Sequence, residues 1–143
     1  MCAIPAIIEV YRGEHFDGVK ALWEEAFPND PPRNRAEVAI PAKLAVQPEL
    51  LLVAVDNEQV VGTAMAGYDG HRGWLYSVAV RQSHRRAGIG TLLVQEAERR
   101  LAELGCVKLN LQVRAENAAV AAFYRTLGYE IEERVSLGKR LAQ

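Results

Sequence analysis

A chain of 143 residues with 17 basic and 18 acidic residues carries a net charge of -1, and a nucleic-acid-binding role, which normally brings a basic excess, is argued against. With 50% hydrophobic and 24% charged residues it has ordinary globular composition, and its length suits one domain, residues 1–143, burying about two-thirds of its unfolded surface in a single core. No segment reaches the roughly 18 apolar residues of a membrane helix and the N-terminus lacks a basic stretch followed by a long apolar one, so a cytoplasmic protein without membrane association is expected.

Residues 7–12 alternate as a short strand, and residues 14–27 place Phe16, Val19, Leu22, Trp23, Ala26 and Phe27 at helical spacing. A proline loop at 29–35 precedes a weaker helix over 33–46, where Pro41 demands a kink or a break. Residues 50–56 and 59–68 are β-rich runs joined by the turn Asp56-Asn57-Glu58, and a second turn at 69–73 leads into a strand over 74–80. Connections this short make an antiparallel meander.

The long connection that follows carries a helix over 89–104 and ends in an alternating strand over 107–113, long enough for a right-handed parallel crossover. A helix over 116–127 and one or two strands over 129–141 complete the chain. The fold class is therefore α/β: a mixed antiparallel and parallel sheet of six to seven strands, flanked by about four helices. Cys2 and Cys106 are the only cysteines; no disulfide is expected, and Cys106 reads as a small buried apolar residue.

The helix at 89–104 needs an explanation at its start. Ile89, Leu92, Leu93, Ala97, Leu101 and Leu104 share one face, and Gly105 stands where a left-handed terminating residue belongs. No Ser, Thr, Asp or Asn precedes Ile89 to cap the first free amides. Gly88 and Gly90 remove side chains where backbone could approach a ligand, and Arg85 and Arg86 add positive charge at the positive end of the dipole. These residues describe an anion site, most naturally for phosphate. The plain alternative is a surface helix whose first amides bind water.

Arg85-Arg86-Ala87-Gly88-Ile89-Gly90, directly after Val78-Ala79-Val80, resembles the Q/R-x-x-G-x-G/A signature of the GNAT superfamily of N-acetyltransferases. The resemblance extends over essentially the whole chain and implies a GNAT-like fold whose strands near Val80 and Leu109 splay apart around acetyl-CoA. It places pantetheine against the backbone of Val78, Ala79 and Val80, and pyrophosphate against Arg85, Arg86, Ala87, Gly88, Ile89, Gly90 and Thr91. A second segment, Asn117 followed by Phe123-Tyr124-Arg125-Thr126-Leu127-Gly128-Tyr129, is similar to the one after the family's fifth strand, where the Asn touches pantetheine and the Tyr faces the sulfur. Without the resemblance, Asn117 is a helix cap and Tyr124 a packing residue, with Val120, Phe123 and Leu127 inward.

The implied chemistry is acetyl transfer from acetyl-CoA to a primary amine of a small molecule or peptide, with Tyr124 as general acid, an oxyanion donor near Val78 and no metal. A phenol with pKa near 10 stays protonated at neutral pH and can donate to a thiolate whose conjugate acid lies near 8.5. Many relatives carry a base on the strand entering the cofactor loop, but residues 74–77 contain no acid. Glu24, Glu25, Asp69 and His71 remain as candidates, and acceptor specificity is assigned to residues 23–35 and 69–76. The turn at 67–73 and the closing run at 136–141 further resemble the YpeA type, a small bacterial subgroup. A non-catalytic acyl-CoA sensor is the rival reading, and association into a homodimer is left open. A nucleoside triphosphatase is discounted because no Lys follows Gly90.

Overall fold

The computed structural model describes residues 6–142; Cys2 and the start of the N-terminal stretch lie outside them. The chain divides into two compact units, one ending at Gln112 and the other beginning at Val113. The first holds, in order, β1 (Ile7–Val10), α1 (Phe16–Ala26), α2 (Ala36–Leu44), β2 (Leu51–Asp56), β3 (Gln59–Tyr68), β4 (Gly73–Val80), α3 (Ile89–Glu103) and β5 (Leu109–Leu111), and the second holds α4 (Ala118–Thr126). No helix among the described residues is long and apolar enough to cross a membrane.

The five strands lie in the order β1-β2-β3-β4-β5. The first four pair antiparallel and β5 joins β4 in parallel. The β2–β3 turn has Asn57 and Glu58 at φ +53° and +68°, the two left-handed residues that a tight hairpin of matching twist requires. Leu51 and Val53 pack with Val19, Leu22, Trp23 and Ile40 of α1 and α2, while Leu52 and Ala54, on the opposite face of β2, are also fully buried. Both faces of the sheet are therefore covered there, and β2 is apolar from Leu51 to Val55 instead of alternating. α3 packs on β2, β3 and β4 through Ile89, Leu93, Val94, Ala97 and Leu101.

The mixed α/β class and the parallel crossover agree with the sequence reading, but the strand number is five among the described residues, not six to seven. The alternating run at 107–113 contracts to the three residues of β5. Residues 129–142 form no strand, and Ile131, Val135, Leu137 and Leu141 stay 76–94% exposed. Alternation gave that tail an apolar face but supplied neither a partner edge nor a layer to cover it, and strands need both.

The helix expected at 33–46 is a 3₁₀ turn, Pro32–Asn34, followed by α2, which runs through Pro41 and so forgoes one backbone hydrogen bond. In α4 Tyr124 is buried, Phe123 and Leu127 are half-buried and Val120 is 37% exposed, so the inward face expected of Val120, Phe123 and Leu127 is formed only in part. Near the C-terminal end of α3, Arg99 and Arg100 hold Glu96 between them at 2.6 and 2.7 Å. The Arg99 hydrogen bond and its companion lower that carboxyl to about 2.

The fit of α3 on the sheet is tight at Gly62, where a Cβ would stand 2.9 Å from Leu93 Cδ1 and 3.2 Å from the Ala79 carbonyl oxygen. Gly62→Ala must therefore displace the buried Leu93 side chain and crowd the Ala79 carbonyl, and we expect a loss of about 1–3 kcal/mol in stability, read as a fall in urea midpoint with unchanged slope. An alanine variant as stable as the wild type would show that this contact yields freely.

Candidate functional site

The site begins at an irregularity in β4. Thr63 faces Ala79 and Met65 faces Tyr76, so the two residues Ser77 and Val78 oppose the single Ala64. Ser77 takes φ +50°, the left-handed conformation that the first residue of such a bulge adopts at some cost when it is not glycine. Thr63, fully buried in an apolar strand, donates its hydroxyl to the Ser77 carbonyl at 2.9 Å. It accepts the Trp23 indole N–H at the same distance.

Just before the bulge, β4 leaves its parallel neighbour. The β4–β5 ladder comprises Gly73↔Leu109, Trp74↔Asn110 and Leu75↔Leu111, and ends there. The edge of β4 from Tyr76 to Val80, with the backbone of Val78 and Val80, continues beyond this short ladder, as the expected splay requires. A backbone edge of this kind offers alternating donors and acceptors to an extended ligand.

β4 then runs into the loop before α3. Arg81 N–H donates to Val61 O at 2.8 Å and its guanidinium to Val60 O at 2.9 Å. Glu25 of α1 accepts the Gln82 amide at 3.0 Å and lies 3.7 Å from Arg81 Nη1. His84 is fixed between Ser83 and Asp56, 2.8 Å from each. After these anchors Arg86 and Gly88 both turn left-handed, at φ +66° and +83°, around Ala87. No side chain caps α3 at Gly88; the first turn's amides at Ile89, Gly90 and Thr91 stand at the positive dipole end with Arg85 and Arg86 exposed nearby. Paired left-handed residues before a helix make a concavity of amide donors that suits an anion.

A cleft of about 350 Å³ opens between the end of α1 and the start of α2, with Lys20, Trp23, Glu24, Phe27, Arg35 and Glu37 among its lining residues. Most of its lining, from Trp23 to Arg35, falls within residues 23–35, where acceptor specificity is expected, while Lys20, Ala36 and Glu37 lie just outside. Of the four candidate bases, Glu25 is committed to the loop, and Asp69 accepts amides of Arg72 and His71 at 2.7 and 2.8 Å. Those amides, Arg72's first, hold the Asp69 carboxyl below its usual range, making it a weaker base. Glu24, exposed and 3.8 Å from Lys20 Nζ, and His71 are left.

In the second unit, Asn117 caps α4 by accepting the Val120 amide at 3.3 Å. Tyr124 is buried with its ring edge-on to Phe123 and Tyr129, at centroid distances of 5.1 and 5.5 Å. Burial pushes its phenol up to about 12. Sequence reasoning missed Thr63, Asp56 and the structural use of Glu25. A threonine inside the apolar run Val60-Val61-Gly62-Thr63-Ala64 was the available signal for the first; nothing local marked the others.

The acetyltransferase (GNAT) family profile matches residues 16–129. An acetyltransferase of Yersinia pestis is 41% identical over 134 residues, 94% of each chain. One of Sodalis glossinidius is 42% identical over 137 residues, 95% of this chain and 96% of its own. Among solved structures, aminoglycoside N-acetyltransferase AAC(6')-Iy in complex with CoA is similar at TM-score 0.77 and 21% identity, over 96% of this chain and 95% of that one. Ard1 from Thermoplasma volcanium is similar at TM-score 0.81 and 20% identity, over 90% and 85%.

Gly88 tests the loop's backbone. A β-branched residue is strained at φ +83°, so Gly88→Val should lose about 1–3 kcal/mol in thermal stability and Gly88→Asn distinctly less. Equal melting temperatures for the two variants would mean that the left-handed turn is not required.

Proposed function

The chain belongs to the acetyltransferase (GNAT) family, and on that premise we propose that it transfers the acetyl group of acetyl-CoA to a primary amine of a small molecule or peptide. We assign the activity to residues 1–143 acting as one domain in the cytoplasm. The observation that carries the reading is the run from the released edge of β4 into the uncapped start of α3. One continuous stretch thus offers strand-like pairing to an extended arm and amide donors to a pyrophosphate. Those are the two chemistries of the pantetheine and phosphate parts of CoA, so the residues fit the ligand.

In this reading Val78 and Val80 pair with the arm through their backbone, with Ala79 between them. Arg85, Arg86, Ala87, Gly88, Ile89, Gly90 and Thr91 form the phosphate cradle. Asn117 adds a contact to the arm through whatever its capping role leaves available. CoA supplies an acetyl thioester: the C–N bond forms as the C–S bond breaks, with a net proton passing from amine to sulfur. The Val78 N–H donates to the carbonyl oxygen as negative charge develops on it. Glu24, on the cleft between α1 and α2, is the acid best placed to relay the amine's proton, through water.

Tyr124 donates to the departing sulfur. With its pKa at about 12, complete transfer to a thiolate of conjugate acid near 8.5 would be uphill by roughly 3.5 pKa units, on the order of 5 kcal/mol. The phenol therefore acts as a hydrogen-bond donor whose proton moves only as the amine's proton replaces it. The alternative, a non-catalytic acyl-CoA sensor, is favoured by one observation: residues 74–77 carry no acid. It would keep the cradle and dispense with Tyr124.

Acetyl-CoA should stabilise the purified protein by about 2.7 kcal/mol at a hundredfold excess over its dissociation constant, raising the melting temperature by several degrees, with NAD and ATP far weaker. An unmoved melting curve in millimolar acetyl-CoA would defeat the reading. Tyr124→Phe should keep that stabilisation while kcat falls roughly a hundredfold; a Phe variant with unchanged kcat would leave the sensor. In the wild type, kcat should show no descending alkaline limb below about pH 11, since a phenol held near 12 does not ionise there. A loss of rate centred on pH 10 would contradict the burial of Tyr124.

A further inference from the structure

The hydrogen bonds at the β4 bulge have only one possible direction. An indole nitrogen can only donate, so the Thr63 oxygen must accept from Trp23, and its single hydroxyl proton must go to the Ser77 carbonyl. Both side chains are buried, Trp23 at 4% exposure and Thr63 at 0%, so water does not compete for either bond. The carbonyl of Ser77 and the N–H of Val78 belong to the same peptide unit, which is trans like every peptide bond described. Its two polar ends therefore point in opposite directions. A donor that fixes the carbonyl end also fixes the aim of the amide end.

We propose that Thr63, oriented by Trp23, is a positioning residue for acyl transfer: it holds and polarises the Ser77–Val78 peptide so that the Val78 N–H faces the developing oxyanion. The proposal rests on the acetyltransferase reading above. Three physical facts support it. First, a left-handed Ser77 is an unfavourable conformation and persists only when its surroundings fix it, and the Thr63 bond acts on the carbonyl of that same residue. Second, hydrogen bonds in a chain strengthen one another, so an indole N–H feeding a hydroxyl that feeds a carbonyl makes the far N–H a stronger donor. Third, Trp23 also lines the cleft between α1 and α2, so the chain of bonds starts at the wall of the proposed acceptor site. A donor whose dipole is fixed in advance needs no reorganisation when charge develops.

The test compares Thr63→Val, which keeps the shape and removes the hydroxyl, with Thr63→Ser, which restores it. The acceptor is whichever of spermidine, kanamycin, lysine and a short peptide the wild type acetylates fastest. Thr63→Val should bind acetyl-CoA with a wild-type dissociation constant while kcat falls about tenfold or more, and Thr63→Ser should recover most of the rate. In the ligand-free protein, the Ser77 carbonyl-carbon and Val78 amide-nitrogen resonances should move upfield in Thr63→Val and return in Thr63→Ser, a change that loss of stability alone does not produce. Should the unpaired Trp23 N–H unfold Thr63→Val, the double variant Trp23→Phe, Thr63→Val removes both polar groups and takes its place. Wild-type kcat in a folded Val variant, or resonances that do not move, would overturn the proposal and leave the acetyltransferase reading intact. Failure of both variants to fold would overturn it also, by making Thr63 a determinant of the fold. A wild type that acetylates none of the four amines would sink the acetyltransferase reading and this proposal with it.

Discussion

A strand paired along both edges has no amide to offer a ligand, and the first unit is organised by the release of one edge of β4 without loss of the sheet. β3 pairs with β4 from Tyr68↔Gly73 through to Gly62↔Val80, so the strand stays anchored along its whole length on one side. On the other side the parallel partner stops after three residues. The extra residue at Ser77–Val78 falls just past that point. A bulge bends and twists a strand, so the irregularity and the parting of β4 from β5 occur together along the chain.

The loop after β4 shows the same economy of parts. Three elements distant in sequence hold it: Glu25 from α1, Asp56 from the end of β2, and the β3 carbonyls of Val60 and Val61. Their contacts end at His84 and at the side chain of Arg85, which reaches back to Val80 O at 3.3 Å. The following stretch then makes its two left-handed turns at Arg86 and Gly88 before α3 begins. A firmly held approach followed by a backbone concavity is what an anion site requires, because donors fixed beforehand lose little entropy on binding. The acidic groups nearby do not cancel the attraction, since Glu25 and Asp56 face Arg81 and His84 on the anchored side.

Sequence periodicity found the helices and the meander because burial enforces it: α3 places Ile89, Leu93, Ala97 and Leu101 against the sheet as the spacing required. The uncapped start of α3 and the left-handed Gly105 were also legible, since each depends on a residue type at one position. Strand extent was not. The runs at 107–113 and 129–141 alternate as a half-buried strand should, but pairing is decided by which edges meet, a long-range matter that alternation does not encode. The bulge was equally hidden, because it is the offset between two registers and appears in neither strand alone. For Tyr124 the motif singled out the residue as a candidate; its burial, which raises the phenol pKa, is a matter of packing that the motif does not carry.

That shift bears on which amines the proposed reaction can use. With no acid on residues 74–77, and with Glu25 and Asp69 engaged elsewhere, proton removal from the amine falls to a solvent-linked relay in place of a fixed base on β4. The fraction of amine already neutral then weighs heavily. At pH 7.4 a lysine-like amine of pKa near 10.4 is neutral in about one molecule in a thousand, whereas an α-amino group near 7.8 is neutral in about a quarter. The second class starts with an advantage of roughly 300-fold in reactive species, offset in part by its lower nucleophilicity. A phenol that gives up its proton only as another arrives adds to the same bias, because the amine that loses its proton most readily also replaces the one Tyr124 donates. On the proposed chemistry, the missing strand acid and the buried phenol together favour amines of low basicity.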